Sequence, residues 1–371
     1  MLSFWEKKSF IHYDYIIIGS GIVGLSTAAS IKEKNTNASV LVLEKGILPT
    51  GASTKNAGFA CFGSLTEILF DLEKTGEKET LQLIDQRFTG LEKLKSRLGD
   101  KNIDFQNNGG FELLNQENID SKNEIDKVNS LIFPLFNTDI FKLQNHRISE
   151  FNFNTKNVLG LVENKLEGQI DTGKMMSTLW DYTSSLGVKI ITNTECLNIS
   201  DLGSKVSIET SSITFTSEKA IICTNAFTKK LYPELELNPG RGHVLVTKPI
   251  KNLSFKGVFH MDEGYYYFRN FNDRVIFGGG RNLDFETEKT TSFDCNEKIM
   301  NSLKNKLSEI ILPNQKYEID YFWTGIMAFG NTKKPIVKKF SDNIAIGVRL
   351  NGMGVAIGSQ IGEELANIIK N

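Results

Sequence analysis

The pattern of apolar and polar segments near the start of the chain predicts a strand, a tight turn and a helix. An apolar run at residues 15–18 leads into a glycine-rich turn and then into a helix-forming stretch. The turn holds glycines with the spacing G-x-G-x-x-G, namely Gly19, Gly21 and Gly24. A second apolar run at residues 40–43 ends in Glu44. Because two parallel strands need a crossover between them, this order predicts a βαβ unit over residues 13–44.

The following part of the chain, up to about residue 158, is predicted to be mainly helical. The segment GASTKNAGFACFGS at residues 51–64 is rich in small residues, and we expect no regular element in it. Charged, leucine-bearing sequence with helical spacing runs over residues 66–98 and again over 121–142. A short strand, GFELL, is predicted between them from Gly110.

From about residue 159 the pattern changes to short strands. Period-2 and β-branched segments predict strands in KIIT, KVSIET, SITFT, KAIICTNAF, RGHVLVTKPI, GYYYFRN and RVIFGGGRN, and over residues 317–327. Helices are predicted at 172–187 and 296–311. Residues 342–369 indicate a short strand, a glycine loop and a terminal helix.

The glycine turn has the chemistry of a dinucleotide site. Gly19 allows the chain to reverse, Gly21 allows the backbone to approach a pyrophosphate, and Gly24 allows the helix to pack closely on the strand. The helix N-terminus presents free N–H groups to the phosphates. Glu44, at the end of the second strand, is placed to hold ribose hydroxyls. The pattern predicts a dinucleotide, and the same fingerprint serves FAD and NAD.

Composition narrows the class of protein further. The 371 residues include 43 basic and 44 acidic side chains, a balance that gives no basis for binding nucleic acid or an anionic membrane. No apolar run approaches the roughly 20 residues of a transmembrane helix, and the N-terminus lacks a signal peptide's apolar core. The cysteines and histidines have no metal-ligand spacing, so we expect no metal site and a reduced, cytoplasmic location.

Five segments carry a more specific pattern. They are IIIGSGIVGLSTA with VLEKG; GASTKNAGF; EGQIDTGKMMSTL leading to CTNAF; RGHVLVTKP with GYYYFRNFNDRVIFGGGRN; and GVRLNGMGVAIGSQIGEELA. In this order the chain resembles the glycine oxidase, D-amino-acid oxidase and sarcosine oxidase family of FAD-dependent enzymes. The resemblance implies FAD as cofactor and an α/β fold whose second lobe is α+β. In such a fold a Rossmann-like FAD-binding domain is interleaved with a β-rich substrate domain.

The alternation of the two kinds of segment sets the expected domain boundaries. We predict that the FAD-binding domain consists of residues 1–80, 159–238 and 327–371. The substrate domain is then expected to consist of residues 81–158 and 239–326.

The resemblance also implies which residues contact FAD. The small-residue segment is expected beside the flavin ring, where a backbone without bulky side chains lets a flat ring approach. The start of the terminal helix is expected near flavin N1 and C2=O, where negative charge collects on reduction. The full predicted set is Gly19, Gly21, Ile22, Val23, Gly24, Glu44, Lys45, Ala52, Ser53, Thr54, Asn56, Ala57, Gly58, Thr224, Asn225, Gly325, Arg349, Asn351, Gly352, Met353, Gly354 and Val355.

The substrate side is expected in the β-rich segments. Family members commonly have a tyrosine that reaches the substrate at the position of Tyr265. Arg269 and Arg349 are candidates to bind a carboxylate through a bidentate fork, with a structural salt bridge as the alternative for each. Aromatic candidates for the pocket wall are Phe59, Tyr267 and Trp323.

The chain departs from the family pattern at three places. Glycine-oxidase-like members have an arginine in the stretch that matches residues 324–328, where this chain has none. They also have an arginine directly before the Asn-Gly pair of the closing loop, where this chain has Leu350, and Arg349 lies one residue earlier. Sarcosine oxidases keep a lysine on the strand that matches RVIFGGGR, and this segment contains no lysine.

Three functions remain open at this point. The leading hypothesis is FAD-dependent oxidation of the C–N bond of an amino acid, an N-substituted amino acid or a related amine, with hydride transfer to flavin N5 and oxygen or a quinone or other carrier as electron acceptor. The second is a 2-hydroxy-acid dehydrogenase, which would need a base such as His243 or His260 to take the hydroxyl proton. The third is a flavin- or nicotinamide-binding protein that oxidises no small molecule.

Overall fold

Two eight-stranded sheets, joined by helices, organise the chain. The computed structural model describes residues 1–370. The helices are α1 Phe4–Phe10, α2 Ile22–Lys34, α3 Ala52–Lys55, α4 Leu65–Thr75, α5 Glu77–Leu98, α6 Ile125–Phe136, α7 His146–Glu150, α8 Thr172–Ser185, α9 Glu297–Lys306 and α10 Gly354–Lys370. The strands are β1 His12–Ile18, β2 Val40–Leu43, β3 Phe59–Ala60, β4 Gly110–Leu114, β5 Phe141–Leu143, β6 Gly160–Asn164, β7 Gly168–Gln169, β8 Lys189–Ile191, β9 Cys196–Asp201, β10 Val206–Thr210, β11 Thr214–Ile222, β12 Asn238–Thr247, β13 Val258–Met261, β14 Tyr266–Phe271, β15 Arg274–Gly279, β16 Ile319–Phe329, β17 Ile336–Lys339 and β18 Ile344–Val348.

The first sheet contains the predicted βαβ unit. Its strands lie in the order β17-β18-β11-β1-β2-β8, with β10 and β9 continuing from β11. β1 pairs in parallel with both β2 and β11, and β18 is parallel to β11. All four residues of β2 are buried, as expected for a strand covered on both faces. The prediction of two parallel strands with a crossover helix, α2, is confirmed.

The second sheet is built on an aromatic core. Its order is β16-β12-β15-β14-β13-β4-β6-β5, and all its neighbouring pairs except β4–β13 are antiparallel. Stacked and edge-on phenylalanine pairs fill the core, among them Phe111, Phe153, Phe259 and Phe268. The chain enters this sheet twice, at β4–β6 and at β12–β16, so the two sheets are interleaved in sequence. β6 falls inside the segment 159–238 but pairs here with β4 and β5.

The helices α2, α5 and α10 pack closely through small residues. A Cβ atom at Gly90 of α5 would lie 2.3 Å from Ala356 O, and one at Gly362 of α10 would lie 2.6 Å from Ser26 Cβ. Glycine is therefore needed at both crossings, which hold α10 against α5 and α2. Within residues 1–370, no helix has both the length and the apolar character that crossing a bilayer requires.

Several predicted elements differ from those found. The expectation of no regular element at residues 51–64 is wrong, since α3 and β3 lie there and β3 is held by pairing with β7. The predicted helix at 66–98 is two helices, because Gly76 between them has φ +81°. The predicted helix at 121–142 is a 3₁₀ turn followed by α6, and its last part is β5. β13 has four consecutive buried residues, so its sequence shows no alternation that identifies a strand.

Candidate functional site

A cavity of about 790 Å³ is lined by both sheets. It starts at the carboxyl ends of β1 and β2 and extends to the face of β12, β14 and β16. The carboxyl edge of parallel strands is the usual ligand position in α/β folds. The predicted dinucleotide turn and the predicted substrate strands therefore meet in one space.

The glycine turn forms the first end of the cavity. A Cβ atom at Gly24 would lie 1.9 Å from Gly19 O, so glycine is required for α2 to start so close to β1. Gly19 and Gly21 both line the cavity. Ile22 N donates a 2.9 Å hydrogen bond to Ser53 Oγ. The first-turn amides of α2 face this space with the positive end of the helix dipole, which suits a diphosphate.

Glu44 lies beside the turn and is held in place by it. Its Oε2 accepts hydrogen bonds from Ser20 N at 3.0 Å and Ser20 Oγ at 2.6 Å, and its Oε1 accepts one from Gly46 N at 2.9 Å. The carboxylate is therefore fixed at the end of β2, where it lines the cavity. This arrangement fits a carboxylate that binds ribose hydroxyls.

The loop before α10 forms a second wall. Arg349, Asn351 and Gly352 have φ values of +65°, +50° and +85°, so the chain turns sharply between β18 and α10. Asn225 supports this turn, because its Oδ1 accepts a 3.1 Å hydrogen bond from Arg349 N. The turn brings the N-terminus of α10 to the cavity, where its dipole favours negative charge.

Most of the predicted cofactor residues line the cavity. These are Gly19, Gly21, Ile22, Val23, Glu44, Lys45, Ala52, Ser53, Asn56, Ala57, Thr224, Asn225, Gly325, Asn351, Gly352, Met353, Gly354 and Val355. Four others do not: Gly24, Thr54, Gly58 and Arg349. Thr54 is exposed and its hydroxyl donates to Pro49 O at 2.6 Å. Gly58 is buried against β7, where an added Cβ would lie 2.4 Å from Ile170 O.

The predicted aromatic residues are divided between the cavity and the protein interior. Phe59, Tyr265 and Tyr267 line the cavity, and burial raises the pKa of Tyr267 to about 12. Phe59 and Tyr267 pack edge to face with ring centroids 5.6 Å apart. Trp323 does not line the cavity, because its Nε1 donates a 2.9 Å hydrogen bond to Lys55 O behind α3.

Neither predicted arginine reaches the cavity. The Arg269 guanidinium is buried beneath the small-residue segment, donates to Gly58 O at 3.2 Å, and has its pKa lowered to about 10 by burial. The Arg349 guanidinium points the other way and donates to Lys334 O at 3.0 Å and Glu236 O at 2.8 Å. The structure thus gives both side chains structural partners, and the prediction that they bind a carboxylate has no geometric support.

Arg281 is a cavity residue that the sequence interpretation missed. It lies two residues after the end of β15, and the intervening turn at Gly279 and Gly280 has φ values of +121° and +80°. An added Cβ at Gly279 would lie 2.0 Å from Tyr265 O, so the turn requires glycine. The run of three glycines before this arginine was the available signal, since it marks a close backbone approach directly before a charged side chain.

A buried polar cluster lies behind the cavity wall. His260 Nε2 lies 3.2 Å from Glu167 Oε2, and Glu167 Oε1 accepts hydrogen bonds from Phe62 N at 3.0 Å and Gly63 N at 3.1 Å. The Cys61 thiol lies within 4.8 Å of the same two side chains. Burial raises the pKa of Cys61 well above its usual value, and the carboxylate already has its hydrogen-bond partners. These contacts favour a hydrogen-bonded cluster over a metal site.

Two residues of this cluster, Cys61 and His260, line the cavity. Burial alone would lower the pKa of His260. The hydrogen bond to Glu167 and the charges of Glu167, Glu112 and Glu67 outweigh burial and raise the pKa above its usual value. The imidazole is therefore stabilised as a cation.

Glu67 and Lys333 line the cavity near His260 and belong to a second charged cluster. Glu67 contacts Arg87 at 3.3 Å and Lys333 at 3.4 Å, and Lys333 also pairs with Asp71 at 2.6 Å. Burial would raise the pKa of Glu67, but the neighbouring positive charges outweigh it and lower the pKa. The two carboxylates, Glu67 and Asp71, are therefore balanced by two cations, Arg87 and Lys333.

Comparisons with known proteins agree with this geometry. A model of the family described as FAD dependent oxidoreductase matches residues 14–368. The probable oxidoreductase OrdL of Haemophilus influenzae is 23% identical over 378 aligned residues, which cover 96% of this chain and 83% of that protein.

Solved structures share the fold. Glycine oxidase from Geobacillus kaustophilus superposes with a TM-score of 0.78 at 17% identity, covering 97% of this chain and 95% of that one. L-proline dehydrogenase from P. horikoshii superposes with a TM-score of 0.76 at 18% identity, covering 97% and 93%. These matches confirm the predicted fold class.

Proposed function

The chain belongs to the family of FAD-dependent oxidoreductases, and we propose that it oxidises the C–N bond of an amino acid, an N-substituted amino acid or a related amine. One observation carries this proposal: a single cavity joins the glycine turn to a chamber walled by Phe59, Tyr265 and Tyr267. FAD, the cofactor of the family, supplies a flavin that accepts a hydride at N5 when bound. The chamber is then the place where the substrate meets the flavin.

The cavity residues suit the two ends of FAD. The first turn of α2 would hold the diphosphate, and Glu44 would hold ribose hydroxyls. The small residues Ala52, Ala57, Gly352 and Gly354 line the next part of the cavity, where their lack of bulk leaves room for a flat ring.

The chemistry of the chamber fits amine oxidation. A neutral amine needs placement in a partly desolvated site more than it needs a strong base. The raised pKa of Tyr267 keeps its phenol protonated, so the hydroxyl can donate a hydrogen bond to a substrate atom. Glu67, the nearby carboxylate, is occupied by Arg87 and Lys333 and is not a free base.

The alternatives have less support. A 2-hydroxy-acid dehydrogenase needs a base, but His243 is fully buried away from the cavity and accepts a 2.9 Å hydrogen bond from Asn296 N. His260 lines the cavity, but its raised pKa stabilises the protonated form, which cannot accept a proton. The third alternative is removed by membership of an oxidoreductase family, which makes the chain an enzyme.

Anaerobic flavin reduction tests the proposal. The purified holoenzyme is mixed without oxygen with amino acids, N-methyl amino acids, simple amines and 2-hydroxy acids, and the loss of oxidised-flavin absorbance is followed. We expect at least one amine-containing compound to reduce the flavin. Reduction by 2-hydroxy acids alone, or by no compound of the panel, would contradict C–N oxidation.

The electron acceptor and the location belong to the same proposal. Reoxidation of the reduced enzyme by oxygen and by a soluble quinone, measured side by side, identifies the acceptor class. The cytoplasmic location stays a prediction, which cell fractionation tests.

A further inference from the structure

The Arg281 side chain stands out among the charged groups of the cavity because it has no counter-ion. Its guanidinium carbon lies 3.8 Å from the centroid of the Phe329 ring and 4.8 Å from that of Phe285. Among residues 1–370, no carboxylate oxygen lies within 4.0 Å of its nitrogens and no side-chain hydrogen bond satisfies them. The whole guanidinium fork is thus free to bind a ligand.

The lysines that line the cavity are either paired with carboxylates or lack the planar shape of a guanidinium. Lys333 pairs with Asp71 and Glu67, and Lys45 pairs with Glu195 at 2.8 Å. Lys55 has no carboxylate partner, but its ammonium lies over the Phe293 ring at 5.2 Å and offers no planar fork. Arg281 is the cavity cation whose shape matches a carboxylate and whose charge is unpaired.

The surroundings of Arg281 hold the fork in one plane next to the aromatic chamber. Phe329, which also lines the cavity, packs on one face of the guanidinium. Phe285 links the group to Tyr265, since the Tyr265 and Phe285 ring centroids are 5.9 Å apart. The glycine turn that precedes Arg281 fixes where its backbone starts. A side chain held in this way loses less rotamer freedom when it binds.

We propose that Arg281 binds the substrate carboxylate as a bidentate pair, and that the substrate is therefore an amino acid or an N-substituted amino acid rather than a simple amine. This inference rests on the proposed function and narrows it. It also explains the two family arginines that are absent from their usual positions, because the same charge is supplied from the end of β15. A neutral amine lacking the carboxylate leaves a partly buried cation unpaired, which disfavours its binding.

The first test measures binding without turnover. Acetate, butyrate and benzoate, each with its amide as neutral counterpart, are titrated into the holoenzyme by calorimetry. The variants are Arg281→Met, Arg281→Lys and the control Arg147→Met, whose arginine also stacks on phenylalanine rings, at 4.8 Å and 4.6 Å, but lies outside the cavity.

We expect the wild type to bind at least one carboxylate at least about tenfold more tightly than its amide. Arg281→Met should weaken that carboxylate about 30-fold, equivalent to about 2 kcal/mol, and leave the amide unchanged. Arg281→Lys keeps the positive charge and should lose less carboxylate affinity than Arg281→Met. The control Arg147→Met should bind the carboxylate as tightly as the wild type. A carboxylate affinity that changes less than about threefold in Arg281→Met, or no carboxylate preference in the wild type, overturns the inference.

The second test separates this inference from the proposed function. Flavin reduction is compared for glycine and methylamine, sarcosine and dimethylamine, and proline and pyrrolidine. If carboxylate binding depends on Arg281 but no compound reduces the flavin, the assignment of Arg281 as the carboxylate-binding residue stands and C–N oxidation is contradicted. If the amines reduce the flavin as fast as the matching amino acids do, C–N oxidation stands and the role of Arg281 in binding a substrate carboxylate is contradicted.

Discussion

Removal of the Glu167 carboxylate is the most informative test of the buried cluster. Glu167→Ala leaves Phe62 N, Gly63 N and His260 without their acceptor, and Glu167 is fully buried, so bulk water does not replace it. Each buried amide that loses its partner costs about 1–3 kcal/mol. Breaking a buried ion pair from one side costs about 3–5 kcal/mol. Because these contributions overlap, we expect a loss of about 4 kcal/mol in the free energy of unfolding.

The loss in the free energy of unfolding should also depend on pH, and the titration of His260 determines whether it grows or shrinks as the pH rises. The folded chain raises the pKa of His260 above the unfolded value of about 6.5. A raised pKa adds stability that is fully present below the unfolded value and is lost as the pH rises through the folded value. The difference between wild type and Glu167→Ala should therefore be larger at about pH 6 than at about pH 9.

Urea unfolding of the FAD-saturated proteins at both pH values measures this difference. Glu163→Ala is the matched control, since Glu163 lies on neighbouring β6 and makes only partly exposed contacts with Gln144 and Arg147. The control should lose no more than about 1 kcal/mol. Equal losses in the two variants, or a difference that grows with pH, would refute the assignment of His260 and Glu167 as a buried ion pair.

Three further changes test other parts of the structure. Gly24→Val should yield protein with little bound flavin, because even a Cβ would lie 1.9 Å from Gly19 O; a normal flavin-to-protein absorbance ratio would contradict the tight turn. Arg349→Met should lower the free energy of unfolding by about 2–3 kcal/mol through loss of hydrogen bonds to backbone carbonyls, measured by urea unfolding, and an unchanged urea midpoint would argue against a structural role. Tyr267→Phe should change that free energy by less than about 0.5 kcal/mol, because within residues 1–370 its hydroxyl has no hydrogen-bond partner; a loss above about 1 kcal/mol in the same assay would reveal one.

The parts of the site that local sequence determines were predictable. The spacing of Gly19, Gly21 and Gly24 specifies a turn whose geometry depends on neighbours in the chain. The same holds for the glycine loop before α10, where positive φ values are concentrated at residues 349–352. At such positions a positive φ or a close approach favours glycine, so the backbone conformation can be predicted from the residue type.

The direction of long side chains was not predictable. Arg269 and Arg349 lie in segments beside the cavity, yet their guanidinium groups bind backbone carbonyls of Gly58, Glu236 and Lys334. Those partners are distant in sequence, so no local pattern shows that they are available. A period of two along a strand tells which face a residue takes, but not which carbonyl lies within reach of an arginine.

The interleaving of the two sheets has a consequence for how the enzyme forms. β1 pairs with β11 across a separation of 204 positions, from His12 to Thr216. β18, which lies still later in the chain, pairs with the other edge of β11. Pairings between such distant segments require large loops to close, and the logarithm of the folding rate falls as contact order rises. We therefore expect the cofactor walls contributed by α2, α3 and α10 to come together late in folding. Denatured chains should refold slowly and acquire FAD as one of the last steps, so we expect flavin uptake to report the end of folding.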